Sequence, residues 1–112
     1  KGAGTLPLIE SVRIYSIKNR INKNTTAARI EELNKIGVFD DDETDFFQSA
    51  HQFLTYILLK DQVTSAKEGK PIKNFIDPKK LLQREKDLLK IYLKKINELK
   101  IRVKGDISEE YF

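Results

Sequence analysis

The chain has no cysteine, no methionine and no tryptophan, a single histidine, and only three prolines in 112 residues. Without cysteine neither a disulfide framework nor a thiolate metal site can form, which predicts a reducing, cytoplasmic setting. His51, the one histidine, cannot build a metal centre alone. It also lacks the upstream arginine expected of a helical-bundle ribonuclease, so it reads as an exposed or capping residue. No apolar run approaches the roughly 20 residues that a membrane helix needs, so no membrane partner is expected. The opening Lys1-Gly2-Ala3-Gly4-Thr5, with no methionine anywhere, predicts that the chain is a piece of a longer protein.

What is present is charge and helical period. About a third of the residues (34%) are charged, and the net charge is +4. Basic residues crowd the first third (Arg13, Lys18, Arg20, Lys23, Arg29, Lys35) and the last helix, with an acidic run from Asp40 to Asp45 between them. No aromatic side chains interleave the basic runs as single-strand binders require, so nucleic acid is not an expected partner.

The chain is organised around one long helix from Asp40 to Gly69. Phe46, Phe47, Ala50, Phe53, Leu54, Ile57 and Leu58 recur at helical spacing along one face. Asp40 and Glu43 form the D-x-x-E pattern of a capping box, and Gly69 before Pro71 is the expected stop. At about 1.5 Å per residue such a helix is roughly 40 Å long and needs comparable helices beside it. A charge at Phe53 or Leu54 would be buried unpaired.

Those helices are legible on both sides. Residues 1–5 read as linker, and Pro7 suits the first turn of a helix to about Ile21, with Leu8, Val12 and Tyr15 inward. Asn24 or Thr25 can cap a second helix to about Ile36 that buries Ala27, Ile30 and Leu33 and stops at Gly37. The segment from Gly69 to Pro78 has two prolines and the adjacent apolar pair Phe75-Ile76, which predicts an ordered loop folded over one end with both residues buried. Asp77-Pro78 suits the cap and first residue of a last helix to about Val103, ended by Gly105, with Leu88, Leu89, Tyr92, Ile96, Leu99 and Val103 in its stripe. The fold class expected is all-α: an antiparallel four-helix bundle with an ordered Pro-containing loop before the last helix. The helical domain should span 6–104 and a C-terminal tail 105–112, where Ile107, Tyr111 and Phe112 have no obvious core position.

These landmarks resemble a family. Pro7-Leu8-Ile9-Glu10 with Arg13, Asn24-Thr25 with Arg29 and Leu33, Gly37, Ala50 with Phe53-Leu54, Gln62, and Gly69-x-Pro71-x-x-Asn74-x-Ile76-Asp77-Pro78 with Glu85 and Leu88-Leu89-Lys90 form an ordered set. That set is similar to the substrate-binding domain of predicted nucleotidyltransferases, the helical companion of catalytic domains related to the protein-PII uridylyltransferases. The resemblance implies a signalling parent, commonly with cyclic-nucleotide-binding and CBS domains. In such a parent a separate domain transfers nucleotide to a protein or small acceptor, using magnesium and a nucleoside triphosphate. The chain departs from the family's pattern in three places: Leu58-Leu59-Lys60-Asp61-Gln62 replaces an Arg-Leu-Arg-His-Gln run, Leu82 replaces a capping serine, and Asn19 replaces a histidine.

A nucleotidyltransferase active site needs a Gly-Ser turn and carboxylates on a strand to hold magnesium. The Asp40–Asp45 run has neither and is explained as a helix start, so no catalytic residue, metal ligand or cofactor is assigned to this chain. The candidate substrate-binding residues are Arg13, Arg29, Gln62, Asn74 and Lys90, with Asn24 and Asp77 positioning loops. The plainer reading of the arginines is that they pair with Glu10, Asp61 or Asp77 and pin the loop. The function expected is a non-catalytic domain that positions nucleotide or acceptor for a nucleotidyltransferase domain of the same parent. The alternative is a helical interaction or homodimerisation module that relays signals from sensor domains.

Overall fold

A computed structural model describes residues 6–111 and contains four α-helices: α1 (Leu6–Lys18), α2 (Thr26–Lys35), α3 (Asp41–Lys67) and α4 (Gln83–Tyr111), with a short 3-10 turn at Pro78–Lys80 before α4. The linker expected at residues 1–5, and Phe112, lie outside the described residues. No β-strand element forms among the described residues, and the helices pack as an all-α bundle, as the apolar periods predict. α1 packs on α2 and α4, and α3 packs on α2 and α4. The long pair α3 and α4 is antiparallel: Glu43 meets Arg102 at one end, and Lys60 meets Glu85 toward the other.

Local chemistry sets the helix starts. Asp40 Oδ1 accepts the Glu43 N–H at 2.8 Å while Glu43 Oε1 accepts the Asp40 N–H at 3.0 Å, completing the predicted capping box. Thr25 caps α2 by accepting the Ala28 N–H. The start of α4 corrects the expectation. Asp77 caps only the 3-10 turn, accepting from the Lys79 N–H, and α4 begins at Gln83 with Leu82 in the capping position. Leu82 has no side-chain acceptor to offer, and its own N–H is taken by Glu85 Oε1 at 2.9 Å, so one half of a capping box suffices.

Three helices close in the same way, each with a left-handed residue two positions past the last helical residue and two hydrogen bonds back into the last turn. Gly37 (φ 83) and Gly69 (φ 69) do this as predicted. Arg20 (φ 56) does it for α1, with Arg20 N–H to Ile17 C=O and Ile21 N–H to Ser16 C=O, so α1 stops at Lys18 rather than Ile21. α4 departs from the pattern in the opposite direction. It continues through Gly105 to Tyr111, because Asp106 accepts a hydrogen bond from the Tyr15 hydroxyl and Ile107 packs on the core. Those contacts offset the roughly 1 kcal/mol penalty of a helical glycine.

The core is continuous. Leu8, Val12 and Tyr15 from α1, Ile30 and Leu33 from α2, Phe47, Ala50, Leu54 and Ile57 from α3, and Leu89, Ile96, Leu99 and Val103 from α4 are all buried. Phe39, between Gly37 and the α3 cap, is also fully buried, edge-on to Tyr15 and 5.0 Å from Phe47 between ring centroids. Ala27 is exposed instead of buried, because α2 turns only Ile30 and Leu33 inward. Leu88, placed in the α4 stripe by its period, is likewise exposed while its neighbour Leu89 is buried.

Helix lengths leave one half of the bundle thinly covered. α2 spans only about 15 Å against about 40 Å for α3, and it meets the first part of α3, where Ala27 C=O accepts from Gln48 Nε2 and Asn34 donates to Asp41. Beyond that part the segment 68–82 lies across α3, tied to it by Gln62 and by Lys80 with Asp61.

Candidate functional site

Segment 68–82 acts as a strap across the second half of α3. Ile76 is its anchor and is fully buried. Its neighbour Phe75 is 46% exposed, contrary to the expectation for the pair, because adjacent residues of an extended segment point opposite ways. Lys73 Nζ lies 5.4 Å from the centre of the Phe75 ring on the outer side. Gln62 on α3 holds the strap from below, donating to Lys73 C=O at 2.8 Å and approaching Asn74 Oδ1 at 3.4 Å. Lys80 ties the far end back to α3, with Nζ 3.1 Å from Asp61 Oδ1.

Between strap and helix lies an open cleft of about 360 Å³. α3 supplies Ile57, Lys60, Asp61 and Thr64, which share a face because they recur every three or four residues, and Glu68, the residue that caps α3, continues that face. The strap supplies Lys70, Ile76, Asp77, Lys80 and Leu81. The floor is apolar (Ile57, Ile76, Leu81), and the walls carry three ammonium and three carboxylate groups. The charges are interleaved: Lys70 pairs with Glu68 at 3.0 Å, Lys80 with Asp61, and Lys60 sits 3.6 Å from Glu85 just outside the lining. Asp61 Oδ2 is buried without a hydrogen-bond partner among the described residues.

This cleft gathers three of the residues picked from the sequence. Gln62 and Asn74 hold its strap, and Asp77 lines it. Arg13, Arg29 and Lys90 do not line it. Arg13 is exposed on α1 and Lys90 is exposed on α4. Arg29 Nε donates to Lys23 C=O at 3.0 Å, so it secures the α1–α2 connection beside exposed Asn24 rather than pinning the strap. Lys60, Asp61 and Lys80 were not picked from the sequence, because lysines on a polar helix face look like ordinary solvated charge. A signal existed: Lys60 and Asp61 are two of the positions at which the Arg-Leu-Arg-His-Gln pattern is broken.

A model of the family described as the putative nucleotidyltransferase substrate binding domain matches residues 1–107. The chain belongs to this family. The match takes in α1 to α3, the strap and α4 as far as Ile107, so the cleft is part of the family's domain and not an appendage to it. No curated protein and no solved structure matches the chain. For a substrate-binding domain the cleft has suitable chemistry: an apolar floor, opposed charges on the walls and a strap held at both ends.

Two other polar features belong to the scaffold. Arg102 on α4 donates to Glu43 Oε2 at 2.8 Å and to Val38 C=O at 2.6 Å while lying over the Tyr15 and Phe39 rings. The Tyr15 hydroxyl is pushed well above its ordinary pKa, chiefly by burial and then by its hydrogen bond to Asp106, so it stays protonated. His51, half buried on α3, is held below its usual value by burial. No described helix is long and apolar enough to cross a membrane.

Proposed function

We propose that this domain holds the acceptor substrate against a separate nucleotidyltransferase domain of the same parent chain and performs no transfer itself. The observation that carries the reading is the strapped cleft, in which opposed charges converge on a floor held by buried Ile76 and Ile57. In this reading magnesium and the nucleoside triphosphate belong to the catalytic domain, whose carboxylates align the triphosphate. The described residues of this chain do not fit a magnesium site, since no three His, Cys, Asp or Glu side chains gather among them. Gln62, Asn74 and Asp77 shape the cleft. Arg13, Arg29 and Lys90, which stand outside it, meet phosphate or acidic groups as the catalytic domain presents them, and Asn24 supports the connection beside Arg29. The parent in this reading is a cytoplasmic signalling enzyme of the uridylyltransferase-like kind, governed by cyclic-nucleotide-binding and CBS domains. Deleting residues 6–111 from the parent should abolish transfer to the acceptor and leave nucleotide binding by the catalytic domain intact. Transfer at an unchanged rate would refute the reading.

One observation favours a second reading. Tyr56, Leu59 and Val63 form an exposed stripe on α3 that faces away from the core. Such a stripe suits an interaction or homodimerisation module. Concentration-dependent self-association that Leu59→Lys abolishes, with no effect of cleft variants on transfer, would favour it over the first.

A further inference from the structure

The cleft contains one group that the fold leaves half used. Glu85, the enclosed carboxylate beside it, is committed on both oxygens, with Oε1 on the Leu82 N–H and Oε2 3.6 Å from Lys60 Nζ. Asp61 is committed on one. Its Oδ1 accepts from Lys80 Nζ at 3.1 Å, and its Oδ2 is buried with no donor among the described residues. A buried carboxylate oxygen without a donor opposes folding, so packing does not explain its presence. Its natural complement is a cationic donor. In the same cleft Lys60 and Lys70 have side chains 52% and 66% exposed, one in a loose pair and the other in a solvent-exposed one, so both can turn to an anion at little cost. Ile57, Ile76 and Leu81 provide the apolar surface of the cleft.

We propose that the cleft binds a small acceptor with a primary ammonium at one end, an anionic group at the other and an apolar body between. The ammonium binds Asp61 Oδ2 and the anion binds Lys60 and Lys70. The word acceptor rests on the function proposed above. Charge argues against a nucleoside triphosphate in this place. Lys60, Lys70 and Lys80 are balanced by Asp61, Glu68 and Asp77, so the lining is neutral, whereas a triphosphate brings several negative charges and no cation for Asp61. A zwitterion leaves the balance unchanged. Because Oδ2 is enclosed, the incoming ammonium reaches it as Lys80 moves aside; Lys80 is half exposed and therefore able to move. Lys80 is thus a built-in competitor for Asp61.

The test is an amide NMR titration of the chain at physiological salt with 6-aminohexanoate, and in parallel with hexanoate, hexylamine and magnesium ATP. The expected result is a saturable shift of the Asp61, Thr64, Ile76 and Lys80 amides with 6-aminohexanoate, and binding weaker by about fivefold or more for either single-ended probe. Asp61→Asn should weaken 6-aminohexanoate by about tenfold or more, while Lys80→Ala should tighten it. A merely structural Lys80–Asp61 pair predicts that both changes weaken it. If Asp61→Asn fails to fold, Lys60→Gln with Lys70→Gln takes its place and should also weaken binding. No saturable shift with 6-aminohexanoate, equal binding by the Asp61 or double-lysine variant, or shifts with magnesium ATP alone would overturn the proposal. The parent deletion described above is read independently, so a substrate-positioning domain with a different ligand remains distinguishable from one that holds no substrate.

Discussion

Replacing Arg102 with alanine should cost the fold about 2–3 kcal/mol. The figure is built from the contacts of one guanidinium. The bond to the Val38 carbonyl, at 2.6 Å, is charge-assisted and worth about 1.5–3 kcal/mol in enclosed surroundings, with the lower half appropriate because the side chain is 39% exposed. The pair with Glu43 at 2.8 Å adds at most about 1 kcal/mol, since the partner side chain is also partly exposed. Placement over the Tyr15 and Phe39 rings, at 5.7 and 5.8 Å, adds about 0.5–1 kcal/mol, partly redundant with the rest. Arg102→Lys keeps the charge but cannot reach both oxygens at once, so it should lose about half as much. Urea unfolding of the three proteins measures this, with the slope unchanged and the midpoint shifted. A loss below about 0.5 kcal/mol for Arg102→Ala would show that the clamp between α4 and the α2–α3 connection is surface decoration.

Arg20→Gly should stabilise the chain by about 0.5–1 kcal/mol, because a left-handed position (φ 56) that closes a helix favours glycine; thermal unfolding at equal or lower midpoint would contradict the assignment of that turn. Ser16→Ala should be neutral or stabilising by up to about 1 kcal/mol, since the buried hydroxyl has no partner among the described residues, and a clear loss in urea would reveal one. His51, held below 6.5 by burial, is protonated first in the unfolded chain, so its contribution is fully present above about pH 6.5 and declines as the pH falls below that. His51→Gln should therefore flatten the stability profile between pH 7 and pH 5 relative to the parent sequence; an unchanged slope would exclude His51 as its source.

How much of this was legible in the sequence depended on range. The Asp40 capping box, Gly37, Gly69 and the α3 stripe are decided by residues within a turn or two of each other, and local chemistry suffices to read them. Arg20 in a glycine's place could not be read, because its conformation is imposed by the helix it closes and not by its side chain. Gly105 misled for the opposite reason: contacts from Tyr15 and the core, far away in sequence, carry α4 past it. The candidate site divided along the same line. Gln62 on α3 and Asn74 and Asp77 in the proline-bounded segment are legible through their match to the family's pattern, and the strap brings them together. Lys60, Asp61 and Lys80 acquire meaning only when the strap folds back across α3, and Arg102 gains its partners only when α4 reaches the start of α3. The family resemblance supplied a function class that periodicity cannot, and it also located Lys60 and Asp61 as departures before the cleft gave them a place.

The decisive measurement is nucleotidyl transfer by the whole parent protein carrying Asp61→Asn with Lys60→Gln, compared with a Lys100→Ala control away from the cleft. If the strapped cleft presents the acceptor, the acceptor KM should rise by about tenfold or more while the nucleotide KM stays unchanged and the helical content is retained. Equal kinetics in a folded variant, or a rise in the nucleotide KM alone, would contradict the assignment of the cleft as the place where this domain holds its acceptor.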